Sequence, residues 1–132
     1  MTETYALELD PQFAVTVRAT PQIAASSALA LLLGTEYLAC ADVPGTDLLL
    51  WFDPAGHAHG RTPNRLASIV LAKLSGGPTM PIHGYAILTG GPAQQPQMFE
   101  AHRCNQVMRD LFGVTPFAPA PGDRDTEPDT TA

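Results

Sequence analysis

The stretch Leu48-Leu49-Leu50-Trp51-Phe52-Asp53, followed by Pro54-Ala55-Gly56, decides the fold. Five apolar residues in succession, with no polar alternation, read as a strand covered on both faces. Asp53-Pro54-Ala55-Gly56 then ends it with turn residues. A strand buried on two sides must lie inside a sheet, so other strands flank it and other elements cover it.

Upstream, Glu36 to Ala41 reads as its partner, joined through Asp42-Val43-Pro44-Gly45-Thr46 in a hairpin. Further upstream, Tyr5 to Leu9 and Phe13 to Val17 alternate with period two around the turn Asp10-Pro11-Gln12, a second hairpin. Between the hairpins, Thr20-Pro21 is a cap followed by a first-turn proline. The helix it starts runs through Ile23, Ala28, Leu31 and Leu32 to Gly34, and its scarcity of charge implies that most of its circumference is covered.

Downstream, the polar loop His57-Ala58-His59-Gly60-Arg61 leads to Thr62-Pro63, a second cap-plus-proline start. Leu66, Ile69, Val70 and Leu74 then mark one face of an amphipathic helix, ended by Ser75-Gly76-Gly77-Pro78. Ile82 to Thr89 is the last strand, with Gly84 inside it where the backbone bulges or is closely approached. A third helix spans about Met98 to Phe112, with Cys104, Val107, Met108 and Leu111 on one face and Gly113 as its stop.

The order strand-strand-helix-strand-strand-helix-strand-helix contains βαββαβ, the split-βαβ pattern of ferredoxin-like sandwiches. The expected architecture is a small α+β two-layer sandwich with helices on one face of a mixed or antiparallel sheet. The first strand and the last helix are additions to that core. At 132 residues with 45% hydrophobic and 15% charged residues, one core can form. Residues 1–115 are expected as a single domain and 116–132 as a disordered acidic Pro/Thr-rich tail.

The formal charge of −6 belongs to the chain ends. Glu3, Glu8 and Asp10 carry half of it, and Asp123, Asp125, Glu127 and Asp129 against Arg124 carry the rest; the acids and bases between them balance. No basic stripe points to broad nucleic-acid binding. The longest apolar run, Ile23 to Leu33, is about half of the roughly 20 residues a membrane helix needs. Cys40 and Cys104 form no C-x-x-C pair, which fits free thiols in a reduced, cytoplasmic setting; a bridge requires the two to lie close in space.

Chemistry concentrates at His57–Arg65 and Ile82-His83-Gly84-Tyr85. A helix start offers free amides and partial positive charge to an anion. Arg61, Asn64 and Arg65 surround that start, and His83 and Tyr85 face it if the two stretches lie side by side. The candidate ligand-binding set is therefore Arg61, Asn64, Arg65, His83 and Tyr85. The plainer and stronger reading is a helix started by Thr62 and Pro63, with Arg65 a solvated first-turn residue. His57 and His59 suggest a metal with Asp53 or His83, but no complete four-ligand spacing exists, so no metal is expected. No nucleophile elbow, P-loop or paired carboxylates appear, so neither catalytic residues nor a cofactor are expected.

Three motifs together also carry a resemblance: Leu48-Leu49-Leu50-Trp51-Phe52-Asp53, Pro63-Asn64-Arg65-Leu66-Ala67, and Ile82-His83-Gly84-Tyr85-Ala86-Ile87-Leu88-Thr89-Gly90. Over roughly Phe13 to Gly90 the chain resembles the uncharacterised bacterial domain of unknown function three-eight-four-six. The resemblance implies a phage or mobile-element setting and transfers no catalytic residues. The expected role is a small non-catalytic accessory domain that binds a protein partner or a second copy. The alternative is an anionic-ligand or nucleotide-binding module at Thr62–Arg65.

Overall fold

A computed structural model describes residues 4–20, 29, 33–34, 38–42, 46–75, 81–92 and 96–117. The strands are β1 (Thr4–Leu9), β2 (Val15–Thr20), β3 (Ala39–Asp42), β4 (Leu48–Phe52), β5 (Ala86–Gly90) and β6 (Phe99–Glu100). The helices are α1 (Arg65–Ser75), between β4 and β5, and α2 (Ala101–Phe112), after β6. The expected segment from Thr20-Pro21 to Gly34 lies outside the described residues except for Thr20, Leu29, Leu33 and Gly34, and so does the expected tail beyond residue 117.

All strand pairs are antiparallel, in the order β2-β1-β5-β4-β3, with β6 pairing Thr4 and Tyr5 of β1 beyond the end of β5. The chain is thus α+β with one six-stranded antiparallel sheet. The ferredoxin-like order needs correction. That interleave would seat β2 between β4 and β5, whereas β2 lies at the sheet edge and β1 takes the place beside β5. The physical reason is the tight turn at Asp10: Asp10 N–H bonds Ala14 O at 2.8 Å and Phe13 N–H bonds Asp10 O at 3.0 Å, so β1 and β2 zip in full register. Phe13 belongs to this turn rather than to a strand, with φ +66° and its ring exposed.

β4 is buried along its whole length, and its side chains divide between two clusters. Leu48, Leu50 and Phe52 join Leu7, Leu9, Leu88 and the apolar faces of α1 and α2. Leu49 and Trp51 join Ala6, Ile87, Met98, Leu29 and Leu33 on the other face. Both described helices pack on the Leu50 face, and Leu29 and Leu33 help to cover the other, as the unalternating run Leu48–Phe52 requires. The Trp51 indole is satisfied there, donating to Thr89 Oγ1 at 2.8 Å. Cys40 and Cys104 are free and sit against different clusters. Burial pushes both thiols up to about 11, with Asp42 adding to the effect at Cys40, so neither is an activated nucleophile.

Helix α2 carries the four buried residues its spacing predicts, Cys104, Val107, Met108 and Leu111. It ends at Gly113, whose φ of +75° lets its N–H reach Arg109 O at 3.0 Å. It begins later than expected because Phe99 and Glu100 are taken up by β1 as a short strand. Lys73 of α1 donates to the carbonyls of Asp110 and Leu111, at 3.4 and 3.3 Å, and so joins the two helix ends. Among the described residues no helix is long and apolar enough to cross a membrane.

The start of α1 also differs from expectation, because Asn64 caps it rather than Thr62. The Thr62 carbonyl instead accepts from Gly84 N–H at 2.7 Å, and Pro63 forms an antiparallel bridge with His83. Asn64 Oδ1 accepts from Ala67 N–H at 2.9 Å, the third residue of the helix. Its Nδ2 donates to Leu9 O at 2.9 Å and to Gly84 O at 2.8 Å. At 1% exposure it cannot exchange these partners for water. Asn64→Ala should therefore cost about 3 kcal/mol, from a lost cap plus buried carbonyls left without a donor. Chemical denaturation would show that as a lower midpoint, and Asn64→Asp should be poor rescue because it restores the cap but not the donor.

Candidate functional site

The stretches at 57–65 and 82–85 lie side by side. Asn64 N–H bonds Ile82 O at 2.7 Å, Gly84 N–H bonds Thr62 O at 2.7 Å, and Pro63 faces His83. Two glycines permit this contact. Gly84 adopts φ +90°, and a Cβ there would stand 2.7 Å from Arg61 Cδ. A Cβ on Gly56 would stand 2.5 Å from the His83 carbonyl oxygen. The turn after β4 and the run-in to β5 thus meet backbone against backbone.

Asp53 organises the turn. It is 4% exposed, and Oδ1 accepts from Ala55 N–H at 2.8 Å, forming an Asx turn. Oδ2 meets His59 Nδ1 at 2.8 Å and Arg61 Nε at 3.0 Å. Backbone bonds Gly56 N–H to Asp53 O, His59 N–H to Ala55 O and Arg61 N–H to Gly56 O close the coil around it. Burial by itself would raise the Asp53 carboxyl; the bonds from His59, the Ala55 amide and Arg61 outweigh it and hold the pKa below the ordinary carboxylate value.

Beside this coil is a cleft of about 430 Å³, lined by Ala39, Phe52, Asp53, Pro54, Gly56, His57, Pro81 and His83. The volume falls in the range of small-molecule sites. The His57 and His83 rings lie 4.9 Å apart, tilted by 55°. Phe52, Pro54, Pro81 and Ala39 make most of the lining apolar, and the two imidazoles add donors and acceptors.

The five expected site residues separate. Arg61 is committed to the protein: besides Asp53 it donates through a terminal nitrogen to Gly34 O at 2.8 Å. Asn64 is buried in structural bonds. Arg65 is exposed at the first residue of α1, beside a shallower cleft of about 190 Å³ with Ser68, Ile69 and Pro81. His83 lines the larger cleft, and exposed Tyr85 does not. The adjacency expected from the sequence is present: it sets the His83 ring beside His57 and Gly84 against the Arg61 stem.

Asp53 and His57 are the residues that the expected set lacks. The available signal was Asp53 at the end of a wholly apolar strand, with His59 and Arg61 six and eight positions on. The Asx turn brings those spacings onto one carboxylate. His57 drew attention only as a metal-ligand candidate with Asp53 or His83, and its ring contact with His83 comes from a segment 26 positions away. Among the described residues no group of three or more histidines, cysteines or carboxylates is arranged to hold a metal ion.

Asp53 has a lowered folded-state pKa, so it stabilises the fold above its unfolded-state pKa of about 4 and loses that contribution as the pH falls through the folded value. Asp53→Asn should cost about 2 kcal/mol at neutral pH, because Arg61 and His59 lose their acceptor charge, and should flatten the acid limb of a stability-versus-pH curve. Gly84→Val should cost about 2–3 kcal/mol through its backbone angle and its clash with Arg61, visible as a lower melting temperature. No family model matches the chain, and neither does any curated protein or solved structure.

Proposed function

We propose that this protein is a small non-catalytic binding domain whose cleft takes a small organic acid with an apolar body. The observation that carries this reading is the His57–His83 pair beside an apolar lining of Phe52, Pro54 and Pro81. Hydrocarbon or aromatic surface is desolvated against that lining. The two imidazoles supply N–H donors to a carboxylate, and more strongly when protonated. Convergence of a few polar groups in a mostly apolar concavity is the usual form of a ligand site.

The same geometry argues for moving the anion from the Thr62–Arg65 helix start to the cleft. Arg61 and Asn64 already have protein partners, and a ligand would have to displace them. A cytoplasmic accessory role in a phage or mobile-element setting is the biological context that the family resemblance implies for such a domain.

A panel of aryl and alkyl carboxylates, followed by thermal shift and calorimetry, tests the proposal. At least one should bind, raising the melting temperature and giving a saturable heat of binding. His57→Ala and His83→Ala should each weaken binding by about tenfold, the worth of one charge-assisted hydrogen bond. Arg65→Ala should leave the affinity unchanged. A panel with no binder, or binding that depends on Arg65 and ignores both histidines, overturns the reading.

A further inference from the structure

β2 lies at one edge of the sheet, and among the described residues no strand pairs with its outer side. Asp10 N–H bonds Ala14 O, which turns the backbone groups of Ala14 toward β1. These groups alternate along a strand, so Thr16 and Arg18 also face β1, and Val15, Val17 and Ala19 face outward. The phase agrees across the sheet. Gly91 N–H bonds Asp47 O on the β4 side, which turns Leu88 toward Leu7 and therefore Glu8 toward Thr16. Free edges are commonly blunted by proline, lysine or a bulge. Val15-Thr16-Val17-Arg18-Ala19-Thr20 has none of the three and stays in unbroken register with β1.

Glu8 indicates what fits beside this edge. It is 5% exposed, yet Nε and Nη2 of Arg18 both meet the same oxygen, Oε1, at 2.9 Å. Among the described residues Oε2 has no partner. An unpaired buried carboxylate oxygen is costly, so the fitting occupant brings a cation next to Thr16, the residue opposite Glu8. A second copy does this when it pairs antiparallel with Val17 facing Val17 across a two-fold axis. Thr16 then faces Arg18 of the second copy, and Val15 faces its Ala19. The two Arg18 become diagonal neighbours flanked by the two Glu8, and the four charges cancel.

This register also makes the fullest use of the edge. The pairs 15 with 19, 17 with 17 and 19 with 15 each exchange two bonds, about six in all. Moving the axis to Thr16 or to Arg18 leaves about four, and at Arg18 it sets like charges face to face. We propose that β2 is the self-association edge of this protein, joining two copies into one continuous sheet through a β2–β2 pair centred on Val17. The cleft residues take no part in it. One strand edge is smaller than a standard interface of about 1,600 Å², so the dimer is weak and forms with concentration.

Sedimentation equilibrium of the full chain from about 10 μM to about 1 mM should show its mass climbing toward twice the monomer. Amide exchange over the same range reads the phase of the strand. Val15, Val17 and Ala19 should exchange at least about threefold more slowly at the high end, whereas Thr16 and Arg18, already bonded to β1, should change little. Ala19→Pro removes an outward N–H at an exposed position and spares the bonds to β1. It should weaken dimerisation by at least about tenfold, with little change in the melting temperature of the dilute chain. A wild-type chain that stays monomeric throughout overturns the proposal. So does a dimer whose three outward amides exchange as fast as in the monomer, or one indifferent to Ala19→Pro. Should that variant not fold, the exchange pattern of the wild-type chain decides.

Discussion

One buried carboxamide ties a strand end, a helix start and the run-in to β5 together. Asn64 bonds the last carbonyl of β1, the carbonyl of Gly84 ahead of β5, and the third amide of α1. These three elements come from distant parts of the chain, and a carboxamide is the side chain that donates twice and accepts in one plane. With water excluded, each bond has no substitute, so the position of α1 on the sheet and the path of residues 82–84 are set together. The cleft inherits its shape from that arrangement.

Asp53 does for the turn after β4 what Asn64 does for the helix start. A single carboxylate gathers an amide, an imidazole and a guanidinium, and the turn closes around it. Arg61 links the two centres, since its stem runs under Gly84 while its head meets Asp53 and the Gly34 carbonyl. The polar residues that looked most available for a ligand are therefore building material. The groups left facing the cleft are the histidines, carried on backbone that Gly56 allows to come close to His83. Structural polar groups are buried and multiply bonded, whereas binding groups keep an open side.

How much of this could be read in advance varied with the range of the interactions. The wholly apolar run at Leu48–Phe52 declared a central strand because no other placement hides both of its faces. The face of α2 and its glycine stop followed from periodicity and backbone freedom, which are local properties. The meeting of the helix start with the glycine-bearing segment was also legible, from a glycine inside an apparent strand. Its consequence was not, because side-chain commitment depends on partners: Arg61 looks solvated until Asp53 and Gly34 are placed beside it. Thr62-Pro63 looked like the cap, and strand pairing with Gly84 claimed the Thr62 carbonyl instead.

Periodicity and turn chemistry act within a few residues, and they suffice for the types of β1 to β5, α1 and α2, the two hairpins, the burial of β4 and Trp51, and the apolar face of α2. Long-range contacts alone settle that β1 and not β2 lies beside β5, that Asn64 and not Thr62 caps α1, and which polar residues are spent. Those outcomes depend on which distant carbonyl or carboxylate each donor meets first, and single-chain spacing carries no record of that competition.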